Sequence, residues 1–106
     1  MKKIINKPDD FVNESINGLV NSYPDIYKFS SDTNKVLTRS KSSSNKVGLV
    51  SGGGSGHLPL FTGYIGNGLL DSCAIGNVFA SPSVDEISTA IKEANFGKGV
   101  LCIYGN

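Results

Sequence analysis

Short apolar segments alternate with helical segments in the second half of the chain, and this alternation limits the possible fold. Apolar runs predict strands at residues 46–50, 73–79 and 99–104, and helical patterns lie between them. The helix that follows residue 82 is the clearest, because Ser83 and Glu86 have the spacing of a capping box. This order is typical of an α/β fold, so we predict a mostly parallel sheet with flanking helices.

The first 45 residues predict a helix and a polar loop. Residues 8–23 carry apolar side chains at helical spacing, residues 36–39 suit a short strand, and residues 40–46 read SKSSSNK, which has no packing capacity. We therefore expect an N-terminal helix and loop at residues 1–45. A βαβαβ core with a glycine-rich ligand loop is expected at residues 46–106.

The third predicted strand, residues 99–104, is uniformly apolar, which is typical of a strand buried on both faces. Three strands with two or three helices barely cover both faces of a parallel sheet. We therefore expect these residues to be the N-terminal portion of a larger domain, truncated after its third core strand.

Composition excludes several classes of protein. The 106 residues are 39% hydrophobic and 18% charged, which is typical of one small globular domain. The net charge is +1 without a Lys/Arg cluster, so we expect no direct nucleic-acid binding. No apolar run is long enough to span a membrane, and the start lacks the apolar region of a signal peptide. Cys73 and Cys102 are expected to be free thiols in the cytoplasm. We expect neither a metal nor a cofactor.

Residues 47–57 read VGLVSGGGSGH, an apolar run followed by glycines and the single histidine of the chain. A flexible linker is disfavoured because the run lies between predicted elements of one domain. A phosphate cradle remains an alternative, although the run lacks the P-loop lysine and the G-x-G-x-x-G spacing. The third interpretation is a ligand pocket at the carboxyl ends of the strands. There, residues 51–57, 79–82 and 105–106 would meet, and His57 would exchange hydrogen bonds with a ligand instead of satisfying a local carbonyl.

The sequence resembles a known family at SGGGSGH followed by Pro59, at GYIGNGLL (63–70) and at VFASP (78–82). This family is the dihydroxyacetone-binding subunit (DhaK) of dihydroxyacetone kinase. The resemblance implies a two-domain α/β protein about three times as long, usually a dimer, that binds dihydroxyacetone. The resemblance and the predicted crevice together nominate the following substrate-binding residues: Gly53, Gly54, Ser55, Gly56, His57, Phe79 and Ser81.

Two departures from the family pattern affect the expected role. Leu58 stands where the kinase subunits typically have a glutamate, and Gly105 stands where they typically have a lysine. The resemblance implies that a different histidine, far downstream of these residues, forms a covalent hemiaminal with the ketone, and that the phosphate donor belongs to a separate subunit. The loss of an acid and of a cation beside the ligand removes groups that could orient the hydroxyl or stabilise developing phosphate charge. We therefore expect a non-phosphorylating sensor, close to the operon coactivator paralogue (DhaQ), whose partner is a TetR-type activator of a kinase operon of glycerol metabolism.

Two alternatives to the sensor are considered. The first is the substrate-binding subunit of a phosphotransferase-dependent dihydroxyacetone kinase, in which His57 would be the catalytic base. The second is an unrelated α/β module that binds an anion at the amides of residues 52–56.

Overall fold

The computed structural model describes residues 2–41 and 44–105, which form one five-stranded sheet with a helix on each face. The strands lie in the order β1-β2-β4-β3-β5. Their bounds are β1 Tyr27–Phe29, β2 Val36–Arg39, β3 Gly48–Gly54, β4 Ser72–Gly76 and β5 Val100–Cys102. The helices are α1 Phe11–Ser22 and α2 Val84–Glu93, with 3₁₀ turns at Pro8–Asp10, Ser55–His57 and Thr62–Tyr64.

The sheet is mixed, and its parallel part consists of β3, β4 and β5. Strand β3 pairs in parallel with β4 on one side and with β5 on the other. Strands β1 and β2 extend the sheet with antiparallel pairs, β1 to β2 and β2 to β4. The predicted α/β class with flanking helices is therefore confirmed, and the short strand β1 is an addition that the sequence pattern did not indicate.

Alternate residues of the strands separate two hydrophobic cores. Leu37, Cys73 and Ile75 point toward the face where Val12 and Ile16 of α1 pack. Their neighbours Val36 and Ala74 point to the other face, where α2 contributes Ala90 and Ala94. Both faces of β2 and β4 are therefore covered, and their side chains contribute to both cores.

Helix α2 begins as predicted. The Ser83 hydroxyl accepts a hydrogen bond from the Glu86 amide at 3.2 Å, and the Glu86 carboxylate accepts one from the Ser83 amide at 2.7 Å. The capping box is thus confirmed, and it satisfies two otherwise unpaired amides. The helix ends at Glu93, and Gly97 in the turn that follows has a positive φ of 89°.

Two predictions about the strands are wrong. Strand β3 continues through Gly54, because Gly52, Gly53 and Gly54 pair with Ala74, Ile75 and Gly76, so most of the glycine run is strand and not loop. Strand β5 is not buried on both faces, since Leu101 is 53% exposed. It lies at the edge of the sheet, where one side and part of each face are open among the described residues.

The segment between β3 and β4 forms the two 3₁₀ turns in place of the short helix that we predicted there. In the described part of the chain no helix is both long enough and apolar enough to cross a membrane.

Candidate functional site

A cleft of about 380 Å³ lies at the carboxyl end of β3, and we call it the glycine cleft. Three chain segments meet there: the end of β3, the loop after β4 and the residues after β5. The predicted convergence of these segments is confirmed, apart from Asn106, which is outside the described residues. The cleft is lined by Gly52, Gly53, Gly54, His57, Phe61, Ser81, Pro82, Ile87, Tyr104 and Gly105.

The first glycines of the run are required by close packing inside the sheet. A Cβ at Gly53 would lie 2.7 Å from Cε2 of Phe61 and still closer to its Cζ, within a range that real Cβ atoms essentially never occupy. A Cβ at Gly52 would lie 2.8 Å from the carbonyl oxygen of Ala74. The absence of side chains therefore lets the aromatic ring of Phe61 and the neighbouring strand approach the backbone of β3.

The last glycines of the run are held by the loop after β4. The amide of Ser55 donates to the carbonyl of Asn77 at 3.0 Å, and the amide of Gly56 donates to the carbonyl of Val78 at 2.9 Å. A Cβ at Gly56 would lie 2.5 Å from that same carbonyl oxygen. Two of the amides that a phosphate cradle would need are therefore already paired with protein carbonyls, which weakens the anion-binding alternative.

His57 ends the 3₁₀ turn after β3 and lies on the wall of the glycine cleft. Its backbone carbonyl accepts a hydrogen bond from the Leu60 amide at 2.9 Å. The side chain is exposed, and its imidazole makes no hydrogen bond with any residue that the structure describes. Among the described residues the ring therefore satisfies no local carbonyl, and a hydrogen bond from the imidazole to a ligand stays a prediction.

The nominated residues separate into two groups. Gly53, Gly54, His57 and Ser81 line the glycine cleft together. Ser55, Gly56 and Phe79 are not among its lining residues. Ser55 is buried and its hydroxyl has no partner among the described residues, whereas Phe79 lies on the loop after β4 and is 98% exposed. Any contribution of these three residues to ligand binding stays a prediction.

Two residues that line the cleft were not predicted from the sequence. Ile87 on α2 lies against Gly52, and Tyr104 follows β5. Partial burial raises the pKa of Tyr104 to about 12. The signal that could have indicated Tyr104 is its place directly after a strand that runs parallel to β3, because parallel strands end at the same edge of the sheet.

The glycine cleft is electrically neutral. No aspartate, glutamate, lysine or arginine is among the residues that line it. Nowhere in residues 2–41 and 44–105 do three or more potential metal ligands cluster. The available chemistry at this site is thus hydrogen bonding and proton exchange through His57 and the Ser81 hydroxyl, together with contact against glycine backbone.

A charged cluster lies at the opposite end of the parallel strands. The carboxylate of Asp71, directly before β4, contacts Arg39 at 3.3 Å and Lys46 at 2.6 Å. It also accepts a hydrogen bond from the amide of Leu49 in β3 at 2.9 Å. Because the Asp71 side chain is almost fully buried, these contacts fix the alignment of β3 beside β4, and so the position of the glycines at the other end.

Comparison with known proteins identifies the relatives of this chain. A family model described as the Dak1 domain matches residues 17–106. The dihydroxyacetone-binding subunit DhaK of PTS-dependent dihydroxyacetone kinase 1 from Listeria innocua is 46% identical over 106 residues, which cover all of this chain and 32% of that protein. The chain therefore spans about a third of the length of this relative.

Two solved structures share the fold. The dihydroxyacetone kinase from C. freundii, in complex with AMP-PNP and Mg²⁺, matches with a TM-score of 0.90 and 34% identity over 99% of this chain and 20% of that one. The dihydroxyacetone kinase operon co-activator Dha-DhaQ matches with a TM-score of 0.77 and 34% identity over 85% of this chain and 27% of that one.

Proposed function

Since this chain belongs to the Dak1 domain family, we propose that its glycine cleft forms one side of a binding site for dihydroxyacetone. The observation that carries the proposal is the meeting of a side-chain-free strand end with His57 and Ser81 in one neutral cleft. Dihydroxyacetone is uncharged and has a hydroxyl at each end. A site for it therefore needs hydrogen-bonding groups and close backbone approach, but no lysine or arginine.

Hydrogen bonds decide the affinity of so small a ligand. Six non-hydrogen atoms limit the binding free energy to roughly −9 kcal/mol at the very best. In our proposal the imidazole of His57 binds one terminal hydroxyl, and the Ser81 hydroxyl binds another oxygen of the triose. Both side chains are exposed and line the cleft, which makes their polar atoms accessible to a ligand.

The role that we favour is that of a substrate-binding component of a dihydroxyacetone kinase. The support is the 46% identity to such a subunit over the whole chain. In this role His57 takes the proton from the terminal hydroxyl while the hydroxyl oxygen attacks the phosphorus of a donor carried by a second protein. The new bond joins oxygen to phosphorus, and the bond between phosphorus and the donor breaks.

A second candidate is the sensor that we expected from the sequence, which binds the triose without phosphorylating it and acts on a TetR-type activator. It is supported by the neutral residue Leu58 beside His57 and by the likeness to the operon co-activator. We rank it second because the identity to the operon co-activator is 34%, whereas the identity to the kinase subunit is 46%. A homodimer, expected from the family resemblance, and a cytoplasmic location, expected from the free thiols, are proposals for either role.

Calorimetry with dihydroxyacetone and a phosphorylation assay with the donor protein test the proposal in the full-length protein. His57→Ala should weaken the binding of dihydroxyacetone by about 1–3 kcal/mol, because one hydrogen-bond partner is lost. His57→Asn is the matched variant: its amide still forms hydrogen bonds but cannot act as a base. We expect it to keep most of the affinity and to lose turnover by about 10²–10⁴-fold.

The outcomes separate the two roles. Binding without any phosphorylated product, together with a triose-dependent complex with an activator, would favour the sensor. An affinity that neither variant changes would show that His57 does not contact the triose, and the glycine cleft would then be the wrong site.

A further inference from the structure

A second cavity, which we call the apolar groove, adjoins the glycine cleft. It has a volume of about 410 Å³ and opens on the face of the sheet beside β3 and β5. Its walls include Leu49, Leu60, Leu69 and Ile103, and the last three are about half exposed. The groove and the cleft share three residues: Phe61, Tyr104 and Gly105. The two cavities are therefore contiguous, and these shared residues form the partition between them.

Tyr104 supplies the adjustable part of this partition. Phe61 is buried and packs on Gly53, so it belongs to the core, and Gly105 has no side chain. Tyr104 is 47% exposed, and it lines both cavities. Its ring is therefore the part of the partition that a substitution can remove without changing the core between α1 and the sheet.

We propose that the ring of Tyr104 closes the glycine cleft toward the apolar groove and restricts the ligand to short hydroxyketones with polar ends. This proposal rests on the proposed function. The physical reason is that the groove has apolar walls, whereas the cleft presents glycine backbone and polar side chains. A hydroxyketone with an alkyl tail would gain contacts with Leu60 and Leu69 if the groove were open to it. The ring blocks the tail, whereas a triose is short enough to stay within the cleft.

The experiment compares two ligands in the full-length protein by calorimetry: dihydroxyacetone and 1-hydroxy-2-hexanone, which carries an apolar tail in place of one hydroxymethyl end. The measured quantity is the ratio of their dissociation constants. Tyr104→Ala should shift this ratio toward the hexanone by about tenfold or more, as expected for several methylenes entering an apolar pocket. Tyr104→Phe keeps the ring and should keep the wild-type ratio.

A second substitution separates the groove from other effects. Leu69 lines the apolar groove but not the glycine cleft. Leu69→Gln, added to Tyr104→Ala, should cancel most of the gain for the hexanone, because the tail would then meet a polar amide. If Tyr104→Ala does not fold, as judged by circular dichroism, Tyr104→Val opens the same passage with a smaller change.

The outcomes are distinct for the two proposals. If the wild type binds dihydroxyacetone and the ratio stays unchanged in the folded Tyr104 variant, the partition is refuted and the proposed function stands. If Tyr104→Phe shifts the ratio as much as Tyr104→Ala, the ring is not the barrier. If the wild type does not bind dihydroxyacetone, both proposals fall.

Discussion

Substitution of Gly53 by alanine should destabilise the protein through a steric conflict with one aromatic ring. The new Cβ would lie 2.7 Å from Cε2 of Phe61, whereas ordinary contacts begin at 3.4 Å. Phe61 is buried in the core between α1 and the sheet, so its ring cannot move away freely. Overpacking of this kind costs about 1–3 kcal/mol of unfolding free energy. Urea unfolding of the full-length protein, followed by circular dichroism, measures the loss.

A double-mutant cycle tests the stated cause. Phe61→Leu removes the ring atoms that meet the new Cβ, so the double variant should be more stable than the sum of the two single losses predicts, by about 0.5–3 kcal/mol. Gly18→Ala is the matched control, because a Cβ there meets nothing within 4 Å and lies inside α1; it should stabilise by about 0.5–1 kcal/mol. A Gly53→Ala variant of wild-type stability, or a strictly additive cycle, would refute the reasoning.

Two further predictions concern buried groups outside the cleft. Asp71→Asn should lower the unfolding free energy, measured with urea, by about 3 kcal/mol, because it breaks a buried charge network that also holds the Leu49 amide. Lys46→Met removes a partly exposed partner of Asp71 and should lower the unfolding free energy by less. Equal losses for the two variants would contradict this assignment. Burial raises the pKa of the Cys73 thiol from 9.0 to about 12. Between these two pH values the thiol is ionised in the unfolded chain but still protonated in the folded protein. The unfolding free energy should therefore fall as the pH rises from about 9 to 12. Cys73→Ala should reduce that slope. A thiol reagent at about pH 9 should modify Cys102 but not Cys73 in the folded protein, and equal modification of these two thiols would show that Cys73 is accessible.

The sequence predicted the parts of the fold that depend on local interactions. The capping box of Ser83 and Glu86 marked the start of α2, because a cap is formed by residues three positions apart. The apolar runs marked β3, β4 and β5 as strands, and parallel connectivity then placed their carboxyl ends at one edge. From this the meeting of Gly53, His57 and Ser81 followed.

The exposure of β5 and the structural role of the glycine run could not be predicted from the spacing of apolar residues. An apolar strand has the same sequence in the centre of a sheet and at its edge, so only the strand order showed that Leu101 is exposed. The run of glycines was interpreted as a loop open to a ligand, whereas most of it is strand backbone that yields space to Phe61.

Local spacing in the sequence therefore determined the helix start, the strand positions and the edge at which a site could form. Only the tertiary structure decided which side chains face that site: it turned His57 and Tyr104 toward the cleft and left Phe79 in solvent. The physical reason is that the position of a side chain relative to a cavity depends on contacts between residues far apart in the chain, and no periodicity of the sequence records those contacts.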